Sequence, residues 1–155
     1  MKLTTYPGVR GDTTVTAGRA PSLDALITAC PDLAELDVLL VAADTRGAPT
    51  AALTRIAEAL LATGVRYTCC WGPDCERFHD CFDDAGHLLG VSNELMTTWH
   101  AKESLSDALF FAVHATLLHP DLREPRTVLI VAIGEVDSAS PIERLLSAPS
   151  FRASD

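Results

Sequence analysis

The stretch "DVLLVAAD", residues 37–44, decides the fold that the sequence predicts. Its six consecutive apolar residues lie between two aspartates, and such a run is far too short to span a membrane. It lacks the alternation expected of a strand with one solvent-facing side, and is typical of a strand buried on both faces of a parallel sheet. Helices must then cover both faces of that sheet, and the flanking sequence is expected to supply them.

Strand and helix patterns alternate along the rest of the chain. Further strands are predicted at residues 65–71, 95–99 and 127–133, beside the first at 38–43. Helices are predicted at residues 23–29, 53–61, 74–85 and 104–118, with a short one that begins at "SPIE", residues 140–143. Gly86 is expected to end the third helix, and Ser104 and Ser140 are expected to cap the last two. The alternation predicts an α/β fold, a three-layer sandwich with a small, mostly parallel four-stranded sheet that is Rossmann-like or flavodoxin-like.

The length of 155 residues suits a single domain with one sizeable core. Residues 22–147 are expected to form that α/β domain. Residues 1–21 are polar and rich in turn formers, so they are predicted to be an extended N-terminal arm, and residues 148–155 a C-terminal tail.

The composition limits the classes of partner. The formal net charge of −9 disfavours nucleic acid and anionic membrane surfaces. No apolar leader segment is visible, so we expect a cytoplasmic protein whose five cysteines are free thiols.

Polar and aromatic residues follow all four predicted strands. Ligands of open parallel sheets bind beyond the carboxyl ends of the strands, so these residues are expected to meet at one edge. The ligand-binding residues predicted there are Asp44, Trp71, Gly72, Asp80, Trp99 and Glu135. The residues predicted to supply acid–base chemistry are Glu76, His79 and His100, because a carboxylate beside an imidazole is the pairing that a general base uses. We expect these side chains to line one shared pocket, while a solvated acidic helix face explains Glu76 and His79 equally well.

The ligand expected in this pocket is small and nucleotide-like. Trp71 and Trp99 would hold a flat ring, and the turn formed by residues 72–74 would present helix amides to an anion. The chain has no G-x-G-x-x-G, P-loop or G-x-S-x-G motif, so the sequence identifies no cofactor and leaves the reaction open.

Two other chemistries are weaker readings of the same stretch. "CWGPDC", residues 70–75, follows a strand and opens a helix as a thioredoxin motif does, but its cysteines flank four residues instead of two. Cys70, Cys75, His79 and His100 are candidate zinc ligands, yet the short paired spacings of structural zinc sites are absent, so no metal site is predicted.

"WGPDCERFHD" (residues 71–80), "MTTWH" (96–100) and "ESLSDALFF" (103–111) together resemble a family of small bacterial α/β proteins known as a domain of unknown function. The resemblance covers roughly residues 37–135. It implies a bacterial cytosolic protein, carries over no activity, and directs attention to Trp71, Glu76, His79, Asp80, Trp99 and His100 as a set.

A competing reading is a non-enzymatic immunity or accessory protein that binds a partner protein. Residues 74–84 contain five acidic residues and one arginine, and the whole chain is acidic. An open, convex position of this acidic face would favour partner binding, whereas a concave pocket containing Glu76 and His79 would favour chemistry.

Overall fold

The computed structural model describes residues 1–29 and 35–152. Its six strands are β1 (Lys2–Arg10), β2 (Thr13–Ala20), β3 (Val38–Ala42), β4 (Tyr67–Trp71), β5 (Met96–Trp99) and β6 (Thr127–Ile133). Its α-helices are α1 (Leu23–Ala29), α2 (Thr50–Leu61), α3 (Cys75–Leu88), α4 (Leu105–Phe110) and α5 (Ile142–Ser147). A π-helical turn (Phe111–Ala115) continues α4, and a 3₁₀ turn (Pro149–Phe151) follows α5.

All six strands form one mixed sheet with the order β1-β2-β6-β3-β4-β5. Neighbouring strands run parallel, except for β1 and β2, which pair antiparallel. The predicted α/β fold is therefore confirmed, and the four strands predicted from the sequence, β3 to β6, all run parallel in the same sheet. The predicted number of four strands is wrong.

The two additional strands come from the segment that was predicted to be an N-terminal arm. Strand β2 pairs along its length with β6, from Thr14 opposite Thr127 to Ala20 opposite Ile133. Its Val15 and Ala17 side chains are buried, whereas most of β1 is exposed. The stabilising partner of β2 lies more than a hundred positions away along the chain, so the local composition of this segment does not reveal its structure.

Helices cover both faces of the sheet and create two apolar layers. Helices α1, α2 and α3 pack on one face, which we call the α3 face, with Leu53, Phe78 and Phe82 in its core. Helices α4 and α5 and the π-helical turn pack on the other, the α4 face, with Leu109 in its core. Strand β3 is buried over its whole length, as its sequence predicts.

Helix ends agree only in part with the sequence signals. Ser104 caps α4 as predicted, because its Oγ accepts a hydrogen bond from the Asp107 N–H at 3.1 Å. Gly86 does not end α3, which continues to Leu88. Gly86 lies inside the helix instead. A Cβ at this position would come within 2.7 Å of Leu95 Cδ2, so the glycine allows Leu95 to pack closely against α3. The predicted cap of α5 is also wrong: the carboxylate of Asp137, not Ser140, accepts the Ile142 N–H at 3.1 Å.

Two general expectations concern the membrane and the cysteines. Within the described ranges, none of the helices has the length and apolar character needed to cross a bilayer. Cys69, Cys70, Cys75 and Cys81 are free and buried, in agreement with the prediction of free thiols, and Cys30 lies outside the described residues.

Candidate functional site

A depression of about 450 Å³ opens at the carboxyl edge of the sheet. Its walls come from the residues that follow β3, β4 and β6, which are Asp44, Trp71, Pro73, Ile133, Glu135 and Val136. Three of the six predicted ligand-binding residues therefore meet at this edge, namely Asp44, Trp71 and Glu135.

Gly72 lies between Trp71 and Pro73, which line the depression, at a point where the segments after β3 and β4 approach each other closely. Its φ of 116° lies in the region that favours glycine, and a Cβ would lie 2.3 Å from the Ala43 carbonyl oxygen. Thr45 fastens the same approach, because its Oγ1 donates to the Asp74 carbonyl oxygen at 2.9 Å. Gly72 thus allows the close approach that positions Trp71 and Pro73 beside Asp44 in the lining.

The indole of Trp71 has a fixed orientation in the wall. Its Nε1–H donates to the Glu103 carbonyl oxygen at 3.0 Å, and the ring packs against the apolar layer of the α4 face. The ring is half-buried, so part of its apolar surface stays open to a ligand.

Two carboxylates flank this ring, and within the described residues only that of Asp44 is held in an ion pair. Asp44 accepts hydrogen bonds from its neighbour Arg46, at 3.0 Å from Nε and 2.6 Å from Nη2. This guanidinium lowers the pKa of the Asp44 carboxyl. Glu135 is exposed and forms no ion pair within 4 Å in residues 1–29 or 35–152, although its charge helps to raise the pKa of the Arg19 guanidinium. Of the two carboxylates, Glu135 is therefore the one that no cation holds in direct contact.

His100 lies behind Trp71, on the α4 face. Its Nδ1 lies 2.6 Å from Glu103 Oε2, and its Nε2 lies 3.2 Å from the Thr98 hydroxyl. The ring also contacts Phe111 at a centroid distance of 5.0 Å. Glu103 therefore holds His100 with its carboxylate and Trp71 with its carbonyl oxygen.

His79 forms a second cluster, on the α3 face. Its Nδ1 lies 3.0 Å from Asp80 Oδ1, and its Nε2 lies 3.0 Å from Thr97 Oγ1. Thr97 in turn donates to Asp83 Oδ1 at 2.5 Å. The indole of Trp99 packs on the imidazole with 4.6 Å between the ring centroids.

The structure does not bring the two imidazoles into one pocket. His79 and Trp99 lie on the α3 face, whereas His100 and Trp71 lie on the α4 face, so the predicted shared pocket does not form. Alternate residues of a strand point to opposite faces, which sends Thr97 and Trp99 one way and Thr98 the other. Glu76 is exposed on α3 and contacts neither imidazole. The roles assigned to these residues stay predictions.

Thr97, Thr98 and Glu103 are partners of the histidines that no pattern in the sequence indicated. The pairing of His79 with Asp83 follows helical i, i+4 spacing and was visible in the sequence. The contacts of Thr97 and Thr98 depend on which face of β5 each side chain points to. Glu103 lies in the connection between β5 and α4, where no periodicity predicts the direction of a side chain.

Buried thiols lie near the candidate site. Burial raises the pKa of the Cys70 thiol far above its usual value and also raises that of Cys75. A redox-active cysteine needs thiolate character, so these raised pKa values disfavour redox chemistry at Cys70 and Cys75. Among the described residues, the one group of side chains with the spacing of metal ligands is His79, Asp80 and Asp83, without a cysteine.

Comparisons with known proteins agree with this architecture. Residues 20–149 match a family described as a domain of unknown function (DUF7684). The chain belongs to this family. The predicted resemblance to a domain of unknown function is thereby confirmed. No curated protein matches this chain.

A solved structure that resembles the chain is a murein peptide ligase from Psychrobacter arcticus. The TM-score is 0.55 at 15% sequence identity, and the match covers 100% of this chain but 30% of the ligase. The chain thus spans less than a third of that protein's length, and at this identity the likeness shows the fold alone.

Proposed function

We propose that this protein binds a small ligand in the depression at the carboxyl edge of its sheet. The observation that carries the proposal is the meeting of Asp44, Trp71 and Glu135, from three separate segments, around one concave surface. Carboxyl edges of parallel sheets are where α/β proteins place their ligands.

The ligand class that fits best has a flat apolar part and an amine. Trp71, Pro73 and Val136 offer apolar surface, and Glu135 offers an exposed carboxylate that no cation of the described residues holds in direct contact. The predicted anion site at the start of α3 receives less support, because the Asp74 carboxylate lies there and binds Arg77 at 2.7 Å. A phosphate at this edge would be repelled by the carboxylates there. An uncharged or cationic ligand therefore fits better than a phosphate-bearing member of the predicted nucleotide-like class.

His100 is the predicted acid–base residue that adjoins this ligand site. It contacts Glu103, whose carbonyl oxygen fixes the Trp71 indole. We assign His100 the role of a positioning residue, which acts on the ligand through Glu103 and Trp71. Glu76 and His79 lie outside the lining of the depression.

A fluorescence titration tests the proposal. In a Trp99→Phe background Trp71 is the sole tryptophan, and tyramine serves as a probe that carries a ring and an amine. Tyramine is expected to change the Trp71 emission saturably, whereas 4-ethylphenol, which lacks the amine, and AMP bind more weakly. Glu135→Gln is expected to weaken tyramine binding about fivefold, since an exposed ion pair contributes up to about 1 kcal/mol.

Glu94→Gln is the matched control, because Glu94 is exposed and pairs with Arg66, far from the depression. Equal weakening by Glu94→Gln and Glu135→Gln, or equal binding of tyramine and AMP, would contradict the proposal.

A second candidate function is the binding of a basic partner protein. The five acidic residues between residues 74 and 84 are all exposed, and the depression contains none of them. The acidic face thus lies on open surface, which is the arrangement that favours partner binding over chemistry for this face.

A further inference from the structure

We infer that the open edge of β5, together with Trp99, Asp80 and Asp83, is a docking site for an extended basic segment of a partner protein. This inference rests on the second candidate function and is independent of the ligand site at the carboxyl edge. It gives the acidic face a defined site and a defined occupant.

Strand β5 has hydrogen-bonding groups available for another strand. Within residues 1–29 and 35–152, it is the last strand of the sheet and pairs with β4 alone. The Met96 N–H donates to Arg66 O and the His100 N–H donates to Cys70 O, each at 2.9 Å, so the even-numbered residues of β5 face β4. The backbone N–H and C=O groups of Thr97 and Trp99 therefore point away from the sheet. Such an edge is a template for the addition of a further strand.

Apolar surface lies directly beside this edge. Trp99 is 46% exposed and Met96 is 39% exposed, which is high for residues of these types in a strand. The indole is held in place from below by the His79 ring. A rigid, half-exposed tryptophan is the kind of side chain that dominates the binding energy of interfaces.

The charge beside Trp99 selects a cationic occupant. The carboxylates of Asp80 and Asp83 are exposed and flank the His79 ring on which the indole rests. Arg77, the one arginine in this part of α3, is occupied elsewhere, with Asp74 and the carbonyl oxygens of Ala48 and Thr45. A lysine or arginine of an added strand would lie against the indole and next to two carboxylates, which combines ion pairing with a cation–π contact.

A metal ion fits the same cluster less well. Both nitrogens of His79 already face hydrogen-bond partners, Asp80 on one side and Thr97 on the other. A metal would have to displace one of them, whereas a basic segment needs only the outward carboxylate oxygens, the indole and the strand edge.

The test uses a fluorescein-labelled peptide of alternating lysine and valine and its fluorescence anisotropy at physiological ionic strength. The full chain is expected to bind this peptide saturably and to bind the glutamate–valine analogue negligibly. Asp80→Asn/Asp83→Asn and Trp99→Ala are each expected to weaken binding about tenfold or more. A peptide N-methylated on every backbone nitrogen needs no protein variant and is expected to weaken by a similar factor, because neither of its edges can donate hydrogen bonds to the strand edge.

Glu76→Gln/Asp84→Asn is the matched control, because it removes the same charge from exposed positions of the same helix. Binding within about twofold of the unchanged chain is expected for this control. Equal weakening by both double variants would overturn edge docking while leaving a general acidic partner face intact. Unchanged binding of the N-methylated peptide would also overturn it. Saturable calorimetric binding of ZnCl₂ that His79→Asn abolishes would assign the cluster to a metal and overturn the proposal as well.

Discussion

Asp37 carries a buried carboxylate that joins the start of β3 to the segment at the start of β6. Its Oδ1 accepts a hydrogen bond from Arg123 Nη2 at 3.0 Å, and its Oδ2 accepts one from the Arg126 N–H at 2.7 Å. Its own N–H donates to the Thr127 hydroxyl at 2.9 Å. Burial alone raises the pKa of this carboxyl, but the hydrogen bonds from Arg123 and Arg126 outweigh it and lower the pKa below the usual 3.8.

Asp37→Asn is expected to lower the free energy of unfolding at pH 7 by about 1–3 kcal/mol, because it weakens charge-assisted hydrogen bonds of a buried group. The lowered pKa means that the unfolded chain binds more protons here than the folded one as the pH approaches 3.8 from above. The contribution of Asp37 is therefore complete above that pH and disappears as the pH falls through the folded-state pKa.

Urea unfolding at pH 7 and at pH 3 measures this difference. The gap in stability between the unchanged chain and Asp37→Asn is expected to narrow at the lower pH. Asp84→Asn, at an exposed position of α3, is the control and is expected to show no such gap. A gap that widens on acidification would contradict the role given to Asp37.

The two histidines lie on opposite faces of the sheet because alternate residues of β5 point in opposite directions. Asp80 and Thr97 hold His79 on one face of β5, and Glu103 and Thr98 hold His100 on the other. Each imidazole thus has a carboxylate at Nδ1 and a threonine hydroxyl at Nε2, and His79 has a second carboxylate, that of Asp83, at 3.7 Å. The sequence shows that these residue types are close along the chain, but their division between two faces depends on the helix that follows β5 crossing to the opposite side of the sheet.

At the scale of helices and strands, the sequence predicted the elements whose stability comes from interactions between residues close along the chain. Helices α1 to α4 and strands β3 to β6 follow apolar periodicity and capping signals, and they lie close to where the sequence predicts them. Hairpin β1–β2 was missed because Pro7, Gly8 and Gly11 resemble a turn-rich arm and because β2 depends on β6 for stability. Gly86 was misread because its reason is tertiary, namely the packing of Leu95.

The connection from β4 to α3 gives a test at this scale. Gly72→Ala is expected to cost about 3 kcal/mol or more of unfolding free energy, because its Cβ meets the Ala43 carbonyl and its φ is positive. Gly47→Ala is the matched control, since its φ of 78° is also positive but a Cβ there meets nothing within 4 Å. The control is expected to cost only about 1 kcal/mol.

Thermal and urea unfolding of the two variants measure the contrast. Equal costs would show that the close approach at Gly72 contributes nothing beyond backbone strain, and the lining of the proposed site would then lack the rigidity assigned to it.

At the scale of the whole molecule, the rule that ligands bind at the carboxyl edge of a parallel sheet predicted Asp44, Trp71 and Glu135 there, and these residues lie around one depression. Their role in binding a ligand stays a prediction. The same rule did not distinguish them from His79 and Trp99, which end near that edge but lie on the α3 face. The molecule therefore offers two separate surfaces, a concave one at the carboxyl edge and an open acidic one beside β5.

We propose that the depression around Trp71 is the ligand site. The most direct test is a ¹⁵N–¹H NMR titration of the unchanged chain with tyramine, because each of its two tryptophans gives one indole N–H signal. The Trp71 indole signal is expected to shift saturably while the Trp99 signal, on the opposite face, stays in place. A shift of the Trp99 signal alone, or of neither signal at saturating tyramine, would contradict the claim.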